Sequence, residues 1–203
     1  MSLGITPAAP PSPPDPARPL SLDQYHRMIR AGILTEEDPV ELLEGRLVRK
    51  MSKNPPHRRS KRRLLTALGR IVPVGWYVEE QEPISIAASP SEPEPDVFIA
   101  RGTDDDYRDR NPGPADLALV IEIADSTLAT DRGTKKRIYA GAPIPAYWII
   151  NLQDRRVEVY TDPTGPADAP DYRRRTDYGA DEAVPLVLDG LEVGRVAVRD
   201  VLP

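Results

Sequence analysis

The residues with the clearest chemical potential are two acids and a lysine near the middle of the chain. Asp96 opens the apolar run 97–100, and Glu122 lies inside a second, almost wholly aliphatic run, 117–124. The second run is typical of a strand that is buried on both faces. A carboxylate in such a strand is costly unless it is paired or holds a metal. Lys135 follows in a stretch, 131–142, that we expect to be helical.

One face of this predicted helix carries the lysine. Asp131, Lys135 and Tyr139 are spaced i, i+4, i+8, so their side chains share that face. Lys135 would orient or help to deprotonate an attacking water and stabilise the charge that develops in a transition state. The plain alternative is that 135–137, Lys-Lys-Arg, is a solvated charge cluster.

The two acids are suited to a divalent metal ion. Mg²⁺ prefers oxygen ligands and usually takes only one or two carboxylates, which Asp96 and Glu122 would supply. The backbone carbonyl of Ile123 is a candidate third ligand. A metal ion bound there can activate water, neutralise phosphoryl oxygens and assist the leaving group, which together hydrolyse a phosphodiester. Alternatively, Asp96 makes a turn hydrogen bond at the start of its strand, and Glu122 forms a buried ion pair with Lys135 or an arginine.

Two further residues are candidates for the same site. Glu41 stands among apolar neighbours on a predicted hairpin, 40–48, and His57 precedes a basic helix. The alternatives are an exposed strand acid for Glu41 and a surface or capping residue for His57. We treat His26, in the first predicted helix, as structural.

The remaining pattern predicts the elements that position these residues. Ser21 and Gln24 have the spacing of a capping box, and Gly32 closes the helix 22–31. A second helix, 57–72, has its apolar residues at helical spacing. The hairpin turns at 44–45. We expect further short strands at 76–78, 84–87, 97–100, 117–124, 145–151, 156–161, 184–188 and 191–198, with loops at 102–115 and 163–170.

The charge distribution restricts how nucleic acid could bind. The net charge is −5, so any such binding must come from local basic patches. One patch is the start of the second helix, and a second candidate is 173–175, Arg-Arg-Arg. Like charges near a helix N-terminus oppose the macrodipole. This patch is therefore either a solvated charged face or a face turned towards anions, which would be phosphates or the protein's own acids. The predicted nucleic-acid-binding residues of the helix are Arg58, Arg59, Lys61, Arg62 and Arg63.

Composition indicates one domain, 20–203, with a proline-rich tail. Residues 1–19 carry seven prolines and almost no large apolar group, so we expect a disordered tail. The absence of cysteine excludes disulfides and thiolate zinc sites, and it fits a reducing cytosol. No apolar stretch approaches the roughly 18 to 20 residues that span a bilayer, and we see no secretory signal. We therefore expect a cytoplasmic protein without membrane contact.

Several stretches resemble the Uma-type family of restriction endonucleases, within the PD-(D/E)XK nuclease superfamily. They are VELLEGRLV, PPH before a helix, EPEPDV, and the long stretch LVIEIADSTLATDRGTKKRIYAGAPIPAYWIINLQDRRVEVYTDP. The resemblance covers roughly residues 20–203. It implies an α/β restriction-endonuclease-like fold, with a mixed central β-sheet flanked by helices; extra terminal strands would follow.

The resemblance also implies roles for individual residues. Asp96 and Glu122 match the two metal-binding acids of the superfamily. Its usual lysine position is Ala124 here, and Lys135 on the following helix takes that role. Glu41 and His57 match the family's upstream acid and histidine, while Arg46 occupies a position that is usually acidic.

The leading hypothesis is a DNA endonuclease that depends on Mg²⁺ or Mn²⁺, with DNA as its partner. Two alternatives stay open. One is a catalytically silent module that binds nucleic acid or protein with the same fold, which the net charge of −5 mildly favours. The other is a metal-dependent phosphohydrolase that acts on a molecule smaller than DNA. A homodimer is also left open.

Overall fold

The structure is a computed structural model that describes residues 18–35, 37–51 and 53–203. The predicted tail lies outside these residues up to position 17. In chain order the elements are α1 (Leu22–Arg30), β1 (Val40–Leu43), β2 (Arg46–Arg49), α2 (Pro55–Leu68), β3 (Trp76–Glu79), β4 (Val97–Arg101), β5 (Leu117–Ala124), α3 (Leu128–Thr130), a π-helical turn (Asp131–Lys135), α4 (Lys136–Gly141), β6 (Ala146–Asn151), β7 (Arg156–Pro163), β8 (Tyr172–Gly179), β9 (Ala183–Leu188), β10 (Leu191–Ala197) and α5 (Val198–Val201). A short 3₁₀ helix, Asp104–Tyr107, precedes β5.

A six-stranded mixed sheet forms the centre, in the order β3-β4-β5-β6-β7-β8. Only β5 and β6 are parallel, because α3, the π turn and α4 cross over between them. The hairpins β1–β2 and β9–β10 form two separate two-stranded sheets. This arrangement confirms the predicted fold class, with a mixed sheet, flanking helices and extra terminal strands.

The apolar core lies on both faces of this sheet. Alternate residues of β5 point to opposite faces: Leu119 and Ile121 pack on the side of α2 and the β9–β10 hairpin, while Val120 packs on the side of α4. All eight residues of β5 are buried, as the sequence predicted. Glu122 shares its face with Val120, so its side chain points towards α4.

Local signals at the N-terminal helix and hairpin are confirmed. The side chains of Ser21 and Gln24 each accept a hydrogen bond from the other's backbone, which completes the capping box of α1. Glu44 and Gly45 both adopt positive φ in the turn between β1 and β2. The turn is tight, because a Cβ on Gly45 would lie 2.5 Å from the Cβ of Pro19.

Two predicted elements need correction, and two observed elements were not predicted. The strand expected at 84–87 is only an isolated bridge between Ile86 and Ser91, since the surrounding prolines cannot donate to a ladder. Helix α2 begins two residues before the predicted start and ends at Leu68, where Gly69 caps it. The sequence analysis missed strand β8, an exposed edge strand without the alternating apolar pattern. Helix α5 was also not predicted. It begins at residue 198, which the sequence pattern had placed at the end of the last strand.

Candidate functional site

The two predicted acids lie side by side where the neighbouring strands β4 and β5 meet, near the start of β4 and the end of β5. Val97 pairs with Ile121 in antiparallel register, so Asp96, just before β4, comes next to Glu122 and Ile123 in β5. Asp96 and Glu122 are both buried. The backbone N–H of Ile123 donates a hydrogen bond of 2.9 Å to Asp96 Oδ2.

Helix α2 brings His57 to Asp96. The helix starts with two prolines, which suit its first turn because N–H groups there have no partner within the helix. Asn54 is the N-cap, and its side chain accepts a hydrogen bond from the backbone N–H of His57. The ring Nε2 of His57 lies 2.9 Å from Asp96 Oδ2. Burial works to raise the pKa of Asp96, but the bonds from His57 and Ile123 outweigh it and lower that pKa below its usual value. His57 therefore belongs to the site and is not a surface residue.

The crossover segment brings Lys135 and Tyr139 to Glu122. Lys135 Nζ and Tyr139 Oη each donate a hydrogen bond of 2.9 Å to the same oxygen, Glu122 Oε1. The π turn that ends at Lys135 continues directly into α4, so both residues reach Glu122 from one helical face. Such turns occur often at functional sites. The ion pair with Lys135 that the sequence left open for Glu122 is therefore present.

Glu41 and Asp131 complete the acidic cluster around Lys135. Glu41, buried on β1, lies 3.5 Å from Lys135 Nζ and accepts a hydrogen bond from the backbone N–H of Glu94. Asp131 is buried and accepts a hydrogen bond of 2.6 Å from Thr127. Glu41 is thus part of the cluster and not the exposed strand acid that was the alternative.

Carboxyl groups outnumber cations in this cluster, and their proton affinities reflect it. Burial raises the pKa of Glu122 to about 8, although Lys135 opposes the rise. Burial also raises the pKa of Asp131 to about 6. Burial by itself would lower the pKa of Lys135, but Glu122, Glu41 and Asp131 raise it above its usual value. The cluster therefore attracts positive charge, which a proton or a metal cation can supply.

The donor set is compatible with a hard divalent cation that keeps several waters. In the part of the chain that the structure describes, the hydrogen bonds to Asp96 end on Oδ2 and those to Glu122 end on Oε1, so the other oxygen of each carboxylate can contact a cation. Among the described residues, no group of three His, Cys, Asp or Glu side chains is arranged to hold a metal ion. Two carboxylates together with water and a carbonyl are a usual set for Mg²⁺.

A cavity of about 390 Å³ opens over the acids. Its walls come from the β1–β2 hairpin, the start of α2 and the loop after β5. The described residues that line it include Glu41, Lys50, Met51, Lys53, His57, Glu94, Asp96, Glu122, Asp125, Thr127, Asp131 and Lys135.

The basic patch on α2 is divided between exposed and engaged side chains. Lys61 pairs with Glu80, and Arg63 donates to the backbone carbonyl of Leu202. A surface groove runs along the helix and includes the exposed arginines Arg58, Arg59 and Arg62, which we call the basic groove.

The second basic candidate, on β8, is largely neutralised within the protein. Arg173 pairs with Asp162, and Arg175 pairs with Asp177 and Glu158.

The sequence analysis did not assign three residues of this region. Tyr139 and Asp131 were recognised only as sharing a helix face with Lys135, a spacing that could have placed them in the site. Lys53, whose Nζ lies 3.9 Å from Asp96 Oδ1, had no distinguishing sequence signal.

The fold and the site define an α/β protein of the restriction-endonuclease-like class, with buried acids and a helix-borne lysine where β4 and β5 meet. The chain belongs to the Uma2 family, described as "Putative restriction endonuclease", whose sequence model matches residues 22–198. The predicted family resemblance is thereby confirmed.

The fold is also that of a solved protein. The chain is similar to the crystal structure of a "putative nuclease belonging to DUF820" from Anabaena variabilis ATCC 29413, with a TM-score of 0.66 and 15% identity. The match covers 90% of this chain and 97% of the other. No curated protein matches this chain. Within the described residues, none of the helices has the length and apolar character needed to cross a membrane.

Proposed function

We propose that this protein is a DNA endonuclease that depends on Mg²⁺ or Mn²⁺. The observation that carries the proposal is the excess of buried carboxyl groups around Asp96 and Glu122, whose negative charge a proton or a divalent cation can neutralise. Membership of the Uma2 family supports the same reaction class.

Asp96, Glu122 and the Ile123 carbonyl would hold the metal ion. The carbonyl is a suitable ligand, since the N–H and C=O of one strand residue point to the same edge and the Ile123 N–H points to Asp96. When bound, the ion supplies charge neutralisation at the phosphoryl oxygens and lowers the pKa of a bound water. His57, Lys135 and Tyr139 would keep the two carboxylates oriented, through their contacts with Asp96 Oδ2 and Glu122 Oε1.

Lys135 acts as a hydrogen-bond donor and not as a base. The surrounding acids raise its pKa, so the ammonium keeps its proton at neutral pH. Its positive charge is therefore available to orient the attacking water and stabilise the charge that develops on the phosphoryl group. This favours orientation of the water and stabilisation of the charge over the deprotonation of the water that the sequence also left open for Lys135.

The basic groove would contact the DNA backbone. Its arginines lie on the exposed side of the helix whose buried residues include His57. Lys61 and Arg63, which bind the protein itself, contribute less than the sequence analysis expected.

Incubation with plasmid, linear duplex and single-stranded DNA tests the proposal, in Mg²⁺, Mn²⁺ or EDTA. We expect the wild type to cleave DNA with either metal. Cleavage should be lost in EDTA and in the variants Asp96→Asn and Glu122→Gln. Glu44→Gln is the matched control, because Glu44 is an acid on the same hairpin as Glu41 that pairs with Arg137 outside the cavity. Cleavage that survives EDTA or both acid substitutions would refute the proposal.

A binding module without catalysis is the second candidate. Its support is the partial neutralisation of the basic patches, in which Lys61, Arg63, Arg173 and Arg175 contact the protein's own groups. Tight DNA binding without cleavage under any of these metal conditions would favour it.

A further inference from the structure

Lys53 stands at the free oxygen of Asp96. Its Nζ lies 3.9 Å from Asp96 Oδ1, whereas the hydrogen bonds from His57 and Ile123 end on Oδ2. Lys53 lines the cavity, and its side chain is 38% exposed.

The other cavity lysines are committed to acids. Lys50 donates hydrogen bonds of 2.7 and 2.8 Å to the two oxygens of Glu94, and Lys135 donates one of 2.9 Å to Glu122. Of the three lysines among the described lining residues, only Lys53 is held by charge attraction without a hydrogen bond to its acid.

We propose that Lys53 and a divalent cation compete for Asp96 Oδ1, and that in the loaded site Lys53 binds a phosphate group of the substrate. The inference rests on the proposed function. A cation bound between Asp96 and Glu122 repels the Lys53 ammonium group at this distance. The lysine stem is long and flexible, and it carries three donors that suit a phosphate oxygen. Because the other two lysines hold their acids, Lys53 is the one free to follow the incoming negative charge.

Two binding measurements that need no cleavage test this. The first is calorimetric titration of Mn²⁺ into wild type, Lys53→Met and Lys50→Met without DNA. The second is fluorescence anisotropy of a 20-base-pair duplex with the same proteins in Ca²⁺, which takes the same class of oxygen ligands. Lys53→Met should bind Mn²⁺ roughly tenfold more tightly, since a competing charge near 4 Å is gone. It should bind the duplex roughly tenfold more weakly, since a phosphate contact is lost.

The opposite signs distinguish this role from a structural one. A variant that is merely damaged loses both affinities, and such a result in both Lys53→Met and Lys53→Gln would overturn the inference. Lys50→Met should leave both affinities within about twofold, because Lys50 is held by Glu94. Equal Mn²⁺ affinity in wild type and Lys53→Met would overturn the inference about Lys53 but not the proposed function. The lack of any Mn²⁺ binding by the wild type would overturn the proposed function together with it.

Discussion

Replacement of Glu158 by glutamine should loosen the turn that carries Lys135. Glu158 is fully buried on β7 and accepts hydrogen bonds from Arg132 at 2.9 Å, Asn151 at 2.8 Å and Tyr160 at 2.7 Å. Arg132 belongs to the π turn, so this carboxylate ties the turn to the central sheet. Glutamine keeps the volume but removes the charge that these donors share.

The size of the effect follows from the pKa of Glu158. Burial opposes ionisation, but the bonds from Arg132, Asn151 and Tyr160 lower its pKa from 4.5 to about 2. One pKa unit corresponds to about 1.4 kcal/mol, so the ionised group contributes about 3 kcal/mol to stability at pH 7. Because the folded-state pKa is depressed, this contribution is present above pH 4.5 and is lost as the pH falls through about 2.

Urea unfolding of wild type and Glu158→Gln at pH 7 and pH 3 measures this contribution. We expect a loss of about 3 kcal/mol at pH 7 that shrinks to about 1.4 kcal/mol at pH 3. For a chain of this length, the loss at pH 7 lowers the melting temperature by roughly 6 to 12 °C. The matched control, Glu44→Gln, removes a half-exposed pair with Arg137 and should cost at most about 1 kcal/mol.

Two results would refute this reasoning about Glu158. The first is a variant as stable as the wild type at pH 7, which would mean that the hydrogen bonds do not favour the ionised form. The second is a difference of the same size at both pH values, which would assign the loss to altered packing and not to the charge.

Three further predictions concern the site, and one concerns the N-terminal segment. Mn²⁺ at 100 times its Kd should stabilise the wild type by about 2.7 kcal/mol, which a melting curve measures. If Mn²⁺ raises the melting temperature of Glu122→Gln by the same amount, Glu122 is not a ligand. Lys135→Met should bind Mn²⁺ yet cleave DNA at least about 100-fold more slowly than the wild type. Full activity of this variant would show that Lys135 does not stabilise the transition state. Glutamine at all three positions of the basic groove should flatten the slope of log affinity against log salt by about 2 to 3, and an unchanged slope would exclude the groove as the DNA contact. Deletion of residues 1–17 should leave the melting temperature unchanged, and a fall of several degrees would show that this segment contributes to stability.

Local physical rules were sufficient for much of the framework. The apolar run around Glu122 predicted a doubly buried strand, and the structure has one at 117–124. The capping box of α1 depends on residues three apart. The turn of the first hairpin similarly depends on neighbouring residues that accept positive φ. Such features are encoded within a few residues, so they can be predicted from the sequence.

Elements that depend on distant partners could not be predicted in this way. Strand β8 exists because β7 offers it a ladder, although its own arginines show no apolar alternation. The segment 84–87 shows the opposite case, because it is largely apolar but the prolines around it prevent a regular ladder. The exact length of α2 was likewise decided by its two caps and not by its apolar stripe.

The sequence by itself identified the chemical groups of the candidate site, because an acid within an aliphatic strand and a lysine on a helix face are visible as patterns. Only the tertiary structure decided how these groups pair. It joined Tyr139 and Lys135 to one oxygen of Glu122 and His57 to one oxygen of Asp96. It also turned part of the basic patch inwards, to Glu80 and to the backbone of Leu202. The physical reason is that pattern and propensity act over a few neighbouring residues. Charge balance, in contrast, depends on contacts between residues as far apart in the chain as Glu41 and Lys135, which only the complete fold brings together.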